Sequence, residues 1–192
     1  MRVSATRVSP LYSTLFSCIL SGATGGLGSP RRGRRSLLRP RGNCAAFAVR
    51  AFDNAESEIL VSAYGLTTGS GIVEALVRAK GRGIDVRLIA DKTTPCSRAS
   101  GIKPLAAAGV PIWIADQARI AHAKAMVIDE AVTLMGSYNW TRGAAANSED
   151  LNLVSSPTVA AAYAAHWHNR LSVSVRFAHR EDWCRISSAE AR

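Results

Sequence analysis

Residues 120–140 read IAHAKAMVIDEAVTLMGSYNW. Ile120 to Ile128 has the composition of a β-strand and Ala131 to Met135 that of a partner, with Asp129 and Glu130 where a tight connection would fall. In such a hairpin, positions whose numbers sum to about 260 face each other. Lys124 then lies beside Gly136 and His122 beside Tyr138, with Ser137 and Asn139 close by. His122 and Lys124 are two apart and share a strand face. An imidazole, an ammonium, an amide and a hydroxyl converge beside a glycine with no side chain to block them, a set that suits a tetrahedral phosphate. A His and a Lys at alternate strand positions, taken alone, are usually a solvated face. Gly136-Ser137-x-Asn139 and Glu149, following in order, turn the pair toward chemistry.

Outward from this hairpin the chain alternates between helical and extended patterns. A helix is expected over 44–54, a strand over 59–64, a helix over 70–82 stopped by Gly83, and a strand over 84–90. A further helix is expected over 97–108 despite Gly101 and Pro104, then a short strand over 111–115. After the hairpin come a loop or short helix over 140–148 and a strand over 150–155. Ser156-Pro157 is a good N-cap and first-turn pair for a helix reaching about Leu171. This order predicts an α/β fold: a mixed β-sheet flanked by helices on both faces.

The chain of 192 residues has room for one domain with a real core. Its net charge of +10 is concentrated at one end. Residues 1–50 hold nine Arg and no acidic residue, whereas the rest holds fifteen Lys plus Arg against fourteen Asp plus Glu. The basicity therefore belongs to the N-terminal segment, and the overall charge is a weak argument for a nucleic-acid partner. Cysteines at 18, 44, 96 and 184 form no metal-ligand spacing, and a Cys44–Cys96 disulfide is conceivable in an oxidising compartment. His166 and His168 sit two apart on the last helix, so they do not share a face as a metal pair. His179 carries no argument, and Trp140 reads as a core aromatic ahead of a base-stacking one.

Three segments follow. Residues 1–41 read as a leader and basic disordered segment, with a signal-peptide pattern over 1–23. A transit peptide or a mis-chosen start codon also fits. Residues 42–172 form the catalytic domain, and 173–192 an atypical tail. The expected location is export to a bacterial periplasm, with a cytoplasmic or membrane-associated protein as the alternative.

His122-x-Lys124, four residues, Asp129, then Gly136-Ser137-x-Asn139 resembles the signature of the phospholipase D superfamily, above all its small Nuc-type endonucleases with one motif per chain. The likeness runs from about Arg39 to Arg170 and takes in Glu58–Tyr64, Glu74–Lys80, Arg82–Val86, Asp91-Lys92 and Asn147-Ser-Glu149. Tyr64-Gly65-Leu66-Thr67 departs from the commoner Tyr-Ser-Phe-Thr. Family members have a first strand just before the Pro-x-Gly turn, a slot that Ser36–Pro40 fills only briefly. The resemblance implies a phosphodiesterase without metal or other cofactor, with its active site shared across a homodimer. It implies His122 as nucleophile and, from the other subunit, as acid. Lys124 and Asn139 would hold the phosphate oxygens, Ser137 would support them, and Glu149 would orient His122. Asp129 is carried over as catalytic, although it would orient neighbouring backbone rather than touch substrate. The substrate implied is DNA or RNA, with phosphatidyl head groups as the alternative and a non-catalytic nucleic-acid binder as the remote one.

Overall fold

The computed structural model describes residues 44–177 and, as backbone, residues 15–19. Strands β1 (Leu15–Ile19), β2 (Glu58–Ala63), β3 (Asp85–Asp91), β4 (Ile112–Ala115), β5 (Lys124–Ile128), β6 (Val132–Gly136), β7 (Asp150–Ser155) and β8 (Val175–Arg176) form one sheet. Its order is β1-β7-β6-β5-β2-β3-β4-β8. The β2-β3-β4 stretch is parallel and the other pairings are antiparallel, which is the mixed sheet expected.

Alternation along the central strands creates two apolar faces. Ile59, Val61 and Ala63 of β2 face the same core as Phe52, Leu76 and Leu105. These last three come from helices α1 (Cys44–Asp53), α2 (Ile72–Gly81) and α3 (Ile102–Ala107). Leu60, Ile89 and Val127 face the other way and pack on Ala160 and Trp167 of helix α4 (Pro157–Leu171). Ser156 caps α4 by accepting from the Val159 amide, and Pro157 occupies the first turn, as the sequence indicates. The Trp167 indole donates to the Val61 carbonyl at 2.9 Å and ties α4 to the middle of the sheet.

The hairpin has the expected register: Ala125 faces Met135, Met126 faces Leu134, and Ile128 faces Val132. Asp129 and Glu130 both take positive φ, 52° and 54°, as a two-residue turn matching the sheet twist requires. The Asp129 carboxylate holds this turn to the start of β2. It accepts the amides of Glu56, Ser57 and Glu58 and the Ser57 hydroxyl at 2.8–3.0 Å.

Several boundaries differ from expectation. The helix expected over 97–108 is shortened to α3, and a separate 3-10 turn precedes it at Thr94–Cys96. Ser97 is extended, at φ −68° and ψ 136°, so the helix starts only after Gly101, where a Cβ would lie 2.5 Å from Val73 Cγ2. Pro104 then falls in the first turn of α3, where its missing N–H costs nothing. The sheet also extends past 42–172 at both ends. Ser36–Pro40, the slot for a first strand, lies outside the described residues, and β1, inside the apolar run read as a leader, pairs with β7. β8, from the segment read as a tail, pairs with β4. The Arg31–Arg35 run, His179 and Trp183-Cys184 lie outside the described residues. Cys44 is buried and is not joined to Cys96.

Burial pushes the Asp129 carboxyl up, but the amides of Glu58, Glu56 and Ser57 outweigh it and hold it below the usual range. Its charged form therefore stabilises the fold above the ordinary carboxylate pKa, and that contribution is lost as pH falls through the lowered one. Asp129→Ala should lower stability by about 2 kcal/mol at neutral pH. Turnover measured well below the melting temperature should be retained. Loss of turnover in a fully folded variant would show that Asp129 serves the chemistry directly.

Candidate active site

The site forms at one end of the sheet, where β2 and β6 finish and β5 and β7 begin. His122 precedes β5 in irregular backbone, because the strand expected from Ile120 starts only at Lys124. Asp91, the last residue of β3, redirects this segment. Its carboxylate is 1% exposed. One oxygen accepts the Ala121 amide at 2.6 Å, and the other accepts the Thr93 amide and hydroxyl at 2.9 and 2.6 Å. On the other side of His122, the Lys124 ammonium donates to the His122 carbonyl at 3.1 Å. The backbone of the histidine is thus pinned from both flanks.

Its imidazole is exposed and lies on the Tyr64 ring, with centroids 4.4 Å apart. The same ring carries the Lys124 ammonium, 4.9 Å from its centroid. Lys124 is only 8% exposed. Burial pushes its pKa down, and the nearby Glu149 carboxylate pushes back without cancelling the shift.

Ser137 and Glu149 meet across β6 and β7. The Ser137 hydroxyl donates to Glu149 Oε2 and accepts the Asp150 amide. Asn147 donates to Glu149 Oε1 at 3.0 Å. Glu149, expected to take the second ring nitrogen of His122, receives Ser137 on one oxygen and Asn147 on the other. Gly136 was read as leaving room for phosphate, and the structure gives a different reason for it. A Cβ there would sit 2.0 Å from the Asp150 carbonyl, so glycine is what lets β7 approach. Asn139 lies against Gly65, with its Oδ1 buried and without a protein hydrogen-bond partner. Trp140 is fully buried and donates to the Ser62 carbonyl, a core residue as read.

Asp129 is not brought to this site. It sits at the far end of β5, five residues from Lys124, which is about 16 Å along a strand. His122, Lys124, Ser137, Asn139 and Glu149 share the near end. Asp91 and Tyr64 fall in stretches of the resemblance without a stated role, and the sequence did not point to Asn152, Tyr163 and His166 as site residues. These last three line a cleft of about 480 Å³ that opens at His122 and Lys124. Asp91 and Tyr64 lie at the C-terminal ends of β3 and β2, and nothing in their spacing to His122 announces a contact made through the sheet.

The family model described as "Cardiolipin synthase, PLD-like domain" matches residues 48–171. The chain belongs to the phospholipase D superfamily. It is 32% identical to a phospholipase D of Rickettsia typhi over 149 residues, 77% of this chain and 72% of that one. It is similar to the crystal structure of Nuc from Salmonella typhimurium, with a TM-score of 0.66, 30% identity, and coverage of 69% of this chain and 89% of the other. NucT from Helicobacter pylori shares the fold, with a TM-score of 0.67 at 18% identity over 86% of this chain and 98% of that one. A mitochondrial cardiolipin hydrolase of Chlamydomonas reinhardtii is 31% identical over 97 residues, half of this chain and 44% of that one. The enzyme is thus a phosphodiester hydrolase close to the Nuc-type members.

Two expected outcomes test the geometry. Asp91→Asn keeps one acceptor oxygen and loses the other, so the Ala121–His122 segment should shift. A fall in kcat of roughly 10- to 100-fold with little change in KM is expected; an unchanged kcat would show that the pinning is unimportant. In Glu149→Gln the charge supporting the Lys124 cation is gone. The alkaline limb of the pH–rate profile should move to lower pH, and a limb that stays put would separate Glu149 from Lys124.

Proposed function

We propose that this enzyme is a metal-independent endonuclease on DNA or RNA that acts through a phosphohistidine, with its active site completed by a second copy of the chain. The observation that carries the reading is the exposed imidazole of His122 on Tyr64, beside the buried cation of Lys124. A neutral ring nitrogen of His122 attacks phosphorus and forms a P–N bond. The P–O bond to the leaving alcohol breaks as protonated His122 of the partner subunit gives its proton to that oxygen. Water then attacks phosphorus, the partner's His122 takes a proton from the water, and the P–N bond breaks. Both histidines return to their starting states. Lys124 of each chain and Asn139 hold the non-bridging oxygens, and Ser137 and Glu149 brace that wall.

The nuclease reading draws support from Nuc, of which this chain covers 89%. The phospholipase D name of the rickettsial relatives keeps lipid as the second reading. Ile120, 52% exposed two residues before His122, is the local feature in its favour. Export is the location we infer, from the signal-peptide pattern over 1–23.

The decisive assay is cleavage of labelled single- and double-stranded DNA in excess EDTA, with His122→Ala alongside. Cutting that survives chelation and vanishes in the variant is expected. Hydrolysis of phosphatidylcholine or cardiolipin vesicles without any cutting of DNA or RNA would overturn the nuclease reading in favour of the lipid one. Fractionating the expressing cells before purification tests export, and active protein confined to the cytoplasm would overturn it.

A further inference from the structure

The cleft that opens at His122 runs between α4 and the sheet face formed by β2, β5, β6 and β7. Its floor is apolar, made by Leu60, Val127 and Met135. Its walls carry Asn152 of β7 and Tyr163 and His166 of α4. None of the three belongs to the histidine–lysine machinery. The Tyr163 hydroxyl donates to the Met135 sulfur at 2.8 Å, a weak acceptor that a ligand oxygen or nitrogen would readily displace. Lys124, at the mouth, is the only Asp, Glu, Lys or Arg side chain among the lining residues.

This lining is selective. A quaternary ammonium head group wants a carboxylate or a cage of aromatic faces. Here Trp167 is buried, with its indole N–H bonded to Val61, and the mouth carries a cation. An acyl chain would fit the floor but leave Asn152 facing hydrocarbon, which costs its desolvation without return. A planar neutral ring with a hydrogen-bonding edge satisfies both surfaces: its face lies on the aliphatic floor, and its edge meets an amide and an imidazole. The volume is in the range of small-ligand sites.

The geometry points to a base-binding subsite: the cleft under α4 takes the base of a nucleotide adjacent to the scissile phosphate, with Asn152 and His166 reading its edge. The assignment rests on the nuclease reading of the neighbouring site. It makes cutting depend on a base that the phosphate machinery itself ignores.

The test uses the full chain carrying His122→Ala, so that binding is read without turnover. Affinities for thymidylyl-thymidine and for the same compound with one base replaced by hydrogen are measured by calorimetry, while the His166 ring signals are followed by NMR where that residue is present. The base-bearing compound should bind on the order of tenfold tighter and shift those signals. The preference should collapse toward unity on adding Asn152→Leu or, at the exposed rim where folding is not at stake, His166→Ala. Equal affinity for the two compounds would overturn the subsite even if the wild type cuts DNA. A preference untouched by both variants would place the base elsewhere and overturn it as well. Dihexanoyl phosphatidylglycerol that shifts His166 where the dinucleotides do not would make the cleft a lipid site. Failure of the wild type to cut any oligonucleotide is the separate outcome that removes the nuclease reading itself.

Discussion

The two-residue turn at Asp129-Glu130 sets the register on which the rest of the site depends. Two consecutive residues other than glycine hold positive φ there, a conformation side chains disfavour. The carboxylate of Asp129 helps to hold it by taking three backbone amides from the start of β2. One side chain thereby fixes β5 against β6 and against β2 together. A slip of one residue in either pairing would turn the neighbours of Lys124 to the opposite face. The acidic residue of the motif therefore supports the register of the hairpin from the end farthest from the chemistry.

The opposite end of the hairpin is built from close approaches between backbones. Gly136 lets the Asp150 carbonyl come near enough to receive the amides of Ser137 and Tyr138, which bends the chain out of β6. That bend brings the Ser137 hydroxyl to Glu149. Gly65 allows the Asn139–Thr141 loop to lie on the end of β2, where the Trp140 amide reaches the Gly65 carbonyl. Both glycines serve packing first, and the positions of Ser137, Asn139 and Glu149 are its consequence.

How much of this is legible in the sequence follows from the range of the forces involved. The hairpin register, the Ser156-Pro157 helix start and β7 are local, written in alternation and capping, and the sequence shows them. The mixed sheet is legible because βαβ spacing leaves few alternatives. The contacts of Asp91 and Tyr64 are not legible, because they reach Ala121 and His122 across neighbouring strands at separations no periodicity encodes. The reach of β5 is misjudged for a related reason. Ile120–Ala123 has strand composition, but the buried Asp91 carboxylate competes for the Ala121 amide and wins it from the sheet. His166 looks idle when compared only with His168. Its relevance comes from the way α4 crosses the sheet, anchored by Trp167, which is a tertiary fact.

The electrostatics of the site explain why a second copy belongs in the proposed mechanism. A phosphodiester passing through a five-coordinate state gathers negative charge on its non-bridging oxygens. One chain offers a single lysine, whose charged form is already disfavoured by burial and partly engaged by the His122 carbonyl and the Tyr64 ring. Its motif also supplies one histidine, which cannot be nucleophile and acid in the same step, because attack needs a free ring lone pair and protonation needs an N–H. Two copies about a twofold axis solve both problems with no new residue: the cations double, and the histidines differ only in which one carries the proton. On that account the low basicity of the described domain is no obstacle, because the charge that matters is concentrated at the symmetry axis rather than spread over a surface.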